Sequence, residues 1–488
     1  MLFNSLKFAI FFPIVFALHF CVPGRWRWLL LLVASYVFYM AWEPAYAILI
    51  FTSTVIDYLV TNRMDRTEEE RQRKALLWVS LSLNLGLLFS FKYYNLVNDT
   101  FTAAAARFGV DWPLPESNLL LPVGISFYTF QTVGYTIDVY RRKIKPERHF
   151  GIFALYVSYF PQLVAGPIER AGRLLPQLRQ AHDFDWDRVI SGFRQAAWGL
   201  FKKVVIADRL AEVVGIIYDS PTEFSGFAYI VATVFFASQV YCDFSGYADI
   251  AIGVARMLGV DLMKNFDRPH WSRSVAELWT RWHISLTSWF RDYLYIPLGG
   301  NRVSQPRWAT NVLIVFLLSG IWHGATWGFA VWGAANGLLI VIERWTAGPR
   351  RAFVSAIGLD TLPRVHAAVQ WAITFGCWLL TLVFFRANNL TEGVYMLANL
   401  GTGWEHFGRF DALAIFLTRV NLDVVLFLYC LALIPLAEIV DWYREDEEAR
   451  QWWRQLPPAA RWTVDYAVIF GLLAFGNFAD LPFVYFQF

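Results

Sequence analysis

Charge is what this sequence has least of. Asp, Glu, Lys and Arg make up 17% of its 488 residues, against about 25% in soluble globular chains. That excludes an ordinary soluble enzyme and, with so much apolar residue elsewhere, a disordered chain. Cysteine is scarce too. Cys21, Cys242, Cys377 and Cys430 are the four, with no C-x-x-C pair, so neither a disulfide framework nor a zinc site is indicated. Each lies in or beside an apolar run and reads as a buried free thiol. The net charge of +3 gives a nucleic-acid partner no footing. No Walker A, G-x-G-x-x-G, H-E-x-x-H or G-x-S-x-G pattern occurs, which leaves an ATP-driven pump, a metalloprotease and an α/β-hydrolase without support. Internal repeats of the transporter kind and low-complexity segments are also absent.

What the chain has instead is apolar and aromatic mass. Residues of the AVILMFWYC set make 57%, and 43 Phe, 23 Trp and 22 Tyr make 18% aromatic. The composition is that of an all-α, polytopic membrane protein, with lipid as the solvent for most side chains. Apolar segments at 5–22, 28–42, 45–61, 75–96, 118–140, 194–216, 226–256, 309–323, 324–343, 366–386, 420–440 and 462–482 predict about eleven or twelve spans, 28–42 and 309–323 being short for full crossings. The first segment carries only Lys7 and no small-x-small site before Pro23, so it reads as a retained helix rather than a signal peptide. Segment 151–168 is apolar but holds Pro161, Gly166 and Pro167, the pattern of a broken or re-entrant helix. Lys and Arg concentrate in 62–74, 141–148, 261–308 and 344–351, which places these stretches on the cytoplasmic side. Segments 97–117 and 217–225 carry Asp and Glu instead and go outside, with both termini. Trp26, Trp28, Tyr93, Tyr94, Trp452 and Trp453 read as an interfacial belt, and 444–459 as a solvated mixed-charge linker.

Polar groups in apolar segments are expensive, and each is a candidate for function. In SGIWHGATWG (319–328), His323 sits between apolar runs among Gly320, Gly324 and Gly328. A glycine-rich break there ends one helix before the next and leaves an imidazole able to take and return a hydroxyl proton. A structural histidine bonded to a neighbouring helix is the alternative. In 272–302 the spacing of Val275, Leu278, Trp279 and Trp282 predicts an amphipathic helix, with Ser274 and Glu277 as a capping box. It carries Arg281, His283 and Arg291, either as an anchor to lipid phosphates or as a basic, aromatic floor for an anionic donor. In VYCDFSGYADIAIG (240–253), Asp243 and Asp249 require partners. Pairing with an Arg or His of another helix and orienting a catalytic histidine are both open.

The motifs NFDRPHWSRSVAELWTRWHISLTSWFRDYLYIPLGGNR (265–302), FLLSGIWHGATW (316–327), YFPQLVAGPIER (159–170), YCDFSGYADIAIG (241–253) and VFFRANNLTEG (383–393) resemble the membrane-bound O-acyltransferase family, in its bacterial branch of alginate-type O-acetyltransferases. The resemblance spans nearly the whole chain, a single membrane-embedded domain over 1–488 with 257–345 as its signature core. It implies a multi-helix fold around a central tunnel, in the bacterial inner membrane. It makes His323 the catalytic histidine and His283 a supporting one, with Asp243, Arg281, Trp282, Arg291 and Trp322 as substrate-binding candidates. It further implies no permanently bound cofactor and no metal, an acetyl-CoA or acyl-carrier thioester as donor, and a periplasmic partner that passes acetyl to an exported polysaccharide. Transfer of D-alanine or another acyl group from a carrier protein, and peptidoglycan O-acetylation, are the alternatives within the class. A transporter of a sugar or acyl donor and a scaffold subunit of an export complex are the alternatives outside it.

Overall fold

The computed structural model describes residues 1–404, 410–478 and 483–484. Every regular element among them is helical, as apolar surroundings demand of a backbone that must satisfy its own hydrogen bonds. Among the described residues, five helices are long and apolar enough to cross a membrane: Pro44–Asp65, Glu70–Ala106, Gly226–Met257, Pro363–Arg386 and Val424–Glu445. The other candidate spans fold as helices that do not combine that length and apolarity. Leu6–Cys21, Arg27–Met40, Ile125–Tyr140, Gln305–His323 and Trp327–Trp345 are among them. Segment 462–482 is helical within Pro458–Phe475, and its last four positions lie outside the described residues.

The helices pack in two groups. Met1–Ala196 with Tyr247–Met263 form one, and Ala197–Gly246 with Lys264–Gln487 the other. In the first, Asp57 is fully buried. Its carboxylate accepts from Ser80 Oγ at 2.5 Å and from Asn84 Nδ2 at 3.1 and 3.0 Å, and Ser53 Oγ donates to Asn84 Oδ1 at 2.5 Å. This polar staple joins the Ala47–Asp65 helix to Glu70–Leu88, where lipid offers no hydrophobic drive for helices to associate. The broken segment predicted at 151–168 is present as a helix over Phe150–Ser158, one turn over Phe160–Leu163, and non-helical chain beyond it. Side chains satisfy the freed backbone. Ser35 Oγ accepts the Phe160 N–H at 3.1 Å, and Gln131 and Gln162 both donate to the Tyr156 carbonyl, at 2.7 and 3.0 Å.

In the second group, Gln305–His323 and Trp327–Trp345 form a tight helical hairpin. Gly320 and Gly333 set its spacing. A Cβ on Gly333 would fall 2.3 Å from the Phe316 carbonyl oxygen, and one on Gly320 2.3 Å from that of Phe329. Two sequence expectations need correction. Residues 444–459 are not a linker, since Val424–Glu445 runs into them and Glu447–Gln455 is helical with Asp446 as its cap. Of the cysteines, Cys242 and Cys430 are buried, Cys377 is partly so and Cys21 is exposed. Cys21 is the last residue of the Leu6–Cys21 helix, where no neighbouring helix covers it.

The hairpin yields a first prediction. Gly333→Ala must force the two backbones apart, at a cost of about 1–3 kcal/mol. Gly376, within Pro363–Arg386, has nothing within 4 Å of an added Cβ, so Gly376→Ala should be neutral or stabilising by up to ~1 kcal/mol. Thermal unfolding in detergent should show a lowered midpoint for the first variant only. Equal midpoints would contradict the close crossing.

Candidate active site

His323 is the last residue of Gln305–His323, and the chain leaves the helix through Gly324 in an extended conformation (φ −161°, ψ 159°). Glycine is required there for space. A Cβ would lie 2.1 Å from the Phe329 ring. The glycine-rich break thus stands where the sequence put it. The imidazole is buried, 3% exposed, and packs edge-to-face on Trp322, Trp332 and Phe385 at centroid distances of 4.9, 5.0 and 5.4 Å.

His283 arrives by a different route. The single amphipathic helix predicted over 272–302 does not form. Val275–Arg281 and Ile284–Phe290 are separate helices, and a π-helical turn covers Arg291–Tyr295. Between the first two, Trp282 is extended and His283 is left-handed, with φ 44° and ψ 53°. That conformation costs a non-glycine residue roughly 1–2 kcal/mol. Backbone pairing across the break offsets it. The Asp267 N–H donates to the Arg281 carbonyl at 2.9 Å and the Ile284 N–H to the Asn265 carbonyl at 2.8 Å. The capping box is present in part, with Ser274 Oγ accepting the Glu277 N–H at 3.0 Å and Glu277 accepting the Arg273 N–H at 2.8 Å. Glu343 accepts the Val275 N–H at 2.8 Å, and Glu438 accepts from Trp271 Nε1 at 2.9 Å. The segment is thereby fixed to the Trp327–Trp345 and Val424–Glu445 helices.

The break turns His283 toward His323. The ring centroids are 6.4 Å apart, and Trp322 is 5.9 Å from His283. At that separation one polar group of a substrate can reach both imidazoles at ordinary hydrogen-bond length. The edge of the Phe244 ring lies against His283 at 4.6 Å. Two histidines from distant motifs, inside an aromatic shell, can move a proton and stabilise a developing negative charge where water does not weaken either effect.

The remaining sequence candidates fall around this pair in different ways. Asp243 is buried, and its partner is neither an Arg nor a His but Lys203, at 2.8 Å. Its other oxygen accepts the Val484 N–H at 2.7 Å. Asp243 thus borders the site through its neighbour Phe244, against which Phe483 also packs at 5.5 Å. Trp282 is buried among Phe266, Trp378 and Tyr241, at 5.1, 5.3 and 6.3 Å. Arg281 and Arg291 are each paired to a near neighbour, Glu277 at 2.7 Å and Asp292 at 2.8 Å, and Arg291 is the more exposed. Asp249 accepts from Gln195 Nε2 at 2.8 Å. Among the described residues no group of three or more His, Cys, Asp or Glu could hold a metal ion.

Sequence reasoning missed Lys203, Phe244, Phe385 and Asn265. Only Lys203 carried a signal. With Lys202 it interrupts the apolar segment 194–216, and buried cations there need acids. Lys202 reaches Ser245 Oγ at 2.8 Å and Asp441 at 3.3 Å, and Asp441 also accepts from Trp198 Nε1 at 2.8 Å and Tyr241 OH at 2.6 Å.

Comparison with known proteins places these residues in context. The model of the membrane-bound O-acyltransferase family matches residues 144–387, which include both histidines. The probable alginate O-acetylase AlgI of Azotobacter vinelandii is 39% identical over 402 residues, covering 82% of this chain and 77% of the relative. The peptidoglycan O-acetyltransferase of Helicobacter pylori is 32% identical, covering 87% of this chain and 85% of the relative. The teichoic acid D-alanyltransferase of Streptococcus thermophilus is 30% identical over a shorter stretch, 55% of this chain.

Burial lowers the His283 imidazole to about 3, against about 6.5 for the unfolded chain. Between these values the unfolded state holds a proton that the folded state does not. The stability contributed by a neutral His283 is therefore complete above pH ~6.5 and is lost as pH falls toward 3. Unfolding midpoints in detergent should drop from about pH 7 to about pH 4, and His283→Gln should reduce that slope. A slope that the substitution leaves untouched would contradict the burial.

Proposed function

Since the chain belongs to the membrane-bound O-acyltransferase family, we propose that it acts as an O-acetyltransferase for an exported polysaccharide. The observation that carries this reading is the convergence of His283 and His323, from two Trp-His motifs, to 6.4 Å within one buried aromatic shell. His323 takes the proton of an acceptor hydroxyl as its oxygen attacks the carbonyl carbon of an acetyl thioester. The carbonyl π pair moves to oxygen, and His283 donates a hydrogen bond to that oxyanion. Collapse of the tetrahedral intermediate re-forms the carbonyl and breaks the carbon–sulfur bond. The proton on His323 then passes to the departing thiolate, so one ester and one thiol are formed. Trp322, packed against both rings, would flank the acetyl group. Trp282 and Asp243, whose contacts are with protein, would support the site rather than meet substrate.

The donor is acetyl-CoA or an acyl-carrier thioester, entering from the cytoplasmic side of the inner membrane. Its phosphates would compete with Glu277 and Asp292 for Arg281 and Arg291. The acceptor is a hydroxyl on the opposite side, on the polymer or on a periplasmic partner that relays the acetyl group. Coverage favours acetyl over D-alanyl transfer. Matches to the alginate and peptidoglycan O-acetylating relatives extend over four-fifths of this chain or more, and that to the D-alanyltransferase over 55%.

Replacing His323 with Ala, with membrane insertion unchanged, should lower acetate released from the exported polymer by at least about 10²-fold, as expected for loss of a general base. Purified protein should transfer label from acetyl-CoA rather than from a D-alanyl-loaded carrier. Undiminished acetylation in the His323→Ala strain would overturn the assignment.

A further inference from the structure

The first N–H groups of a helix have no acceptor inside it, and a side chain at the N-cap commonly supplies one. At Ile284–Phe290 the N-cap residue is His283, whose side chain makes no such bond. Asn265 supplies the acceptors from nearly twenty residues upstream. Its carbonyl takes the Ile284 N–H at 2.8 Å. Its side-chain Oδ1 takes both the Ser285 N–H at 3.2 Å and Ser285 Oγ at 2.9 Å. Asn265 is itself 1% exposed, so these bonds are shielded from water. Two residues on, the Asp267 N–H holds the Arg281 carbonyl on the other side of the break.

We propose that Asn265 is the positioning residue for His283. By capping the Ile284–Phe290 helix in place of the residue at its N-cap, it holds the left-handed turn that directs the imidazole toward His323. A smaller residue at 265 keeps the main-chain bond but loses both side-chain bonds, and the turn at His283 can relax toward an unstrained conformation that swings the ring away. The inference rests on the functional reading above for its effect on turnover, and on the hydrogen bonds alone for its effect on the turn.

The test uses the full-length protein in detergent or liposomes. Asn265→Ala should lower kcat for acetyl transfer by about 10–100-fold, as misplacement of a reacting group does, with KM for acetyl-CoA changed less than about threefold. Asn265→Asp keeps an acceptor at Oδ1 and should recover most of the rate. In a His283→Gln background, Asn265→Ala should cost no more than about threefold further, because its effect runs through His283. Loss of the same size in both backgrounds, or an Asn265→Asp variant as poor as Asn265→Ala, overturns the proposal. Hydrogen exchange at the Ile284 and Ser285 amides reads the clamp directly, whatever acyl group is transferred. Exchange should speed up in Asn265→Ala and stay slow in Asn265→Asp, and unchanged exchange in both overturns the proposal. Asn265→Gln, which moves the amide by one methylene, should behave like Asn265→Ala and serves if that variant fails to accumulate. A wild-type protein that transfers no acetyl yet shows the expected exchange pattern would overturn the functional reading and leave the clamp standing.

Discussion

A carboxylate inside an apolar helix bundle needs hydrogen-bond donors or a cation to offset its lost hydration, and the Lys203–Asp243 pair is the contact on which the site's surroundings depend. Adjacent residues on a helix point about 100° apart, so Lys202 and Lys203 reach different neighbours. Lys203 binds Asp243 on Gly226–Met257 and Asp208 on its own helix, and Lys202 binds Asp441 on Val424–Glu445. Three helices are thereby tied by ion pairs that are strong only because water is excluded. Removing either partner of such a pair leaves a buried charge alone, which is far costlier than the pair is favourable. The turn at Lys202–Ala207 is π-helical, a local widening of the kind often found near functional sites. Asp243 is followed by Phe244, whose edge lies against His283, so the ion pair and the imidazole share one short stretch of helix.

The aromatic shell around the histidines has a chemical consequence as well as a packing one. Phe244 and Trp322, which pack against His283, offer little to solvate charge, so burial favours that ring as a neutral imidazole. A neutral ring can accept a proton, and its N–H can still donate. In a medium of low dielectric, a hydrogen bond to a developing oxyanion is worth more than in water.

Parts of this arrangement were legible in the sequence because they follow from local rules. The cluster of Gly320, Gly324 and Gly328 around His323 marked a helix end, and Pro161, Gly166 and Pro167 close together marked a broken span. Ser274 and Glu277 cap a helix from four neighbouring positions. Other parts were not legible, because they rest on partners remote in the chain. The apolar spacing across Trp282 is compatible with a continuous helix, and the backbone at the break is paired by Asn265 and Asp267 from outside that stretch. The partner of Asp243 could not be read from its own motif, since Lys203 comes from another helix. The reading of 444–459 as a linker failed for a different reason. Its charges are those of a solvated helix face as much as of a loop, and Asp446 caps the helix that forms. The long apolar runs marked membrane character well, but among the described residues length and apolarity combine in five helices.

In the scheme proposed above, this chain makes an ester at the expense of a thioester. The most direct test of that scheme is a mass balance on the purified protein in liposomes, supplied with labelled acetyl-CoA on one side and a hydroxyl-bearing oligosaccharide on the other. One free thiol should appear on the donor side for each labelled ester formed on the acceptor side. Label that crosses as intact acetyl-CoA, or thiol released with no ester formed, would contradict it.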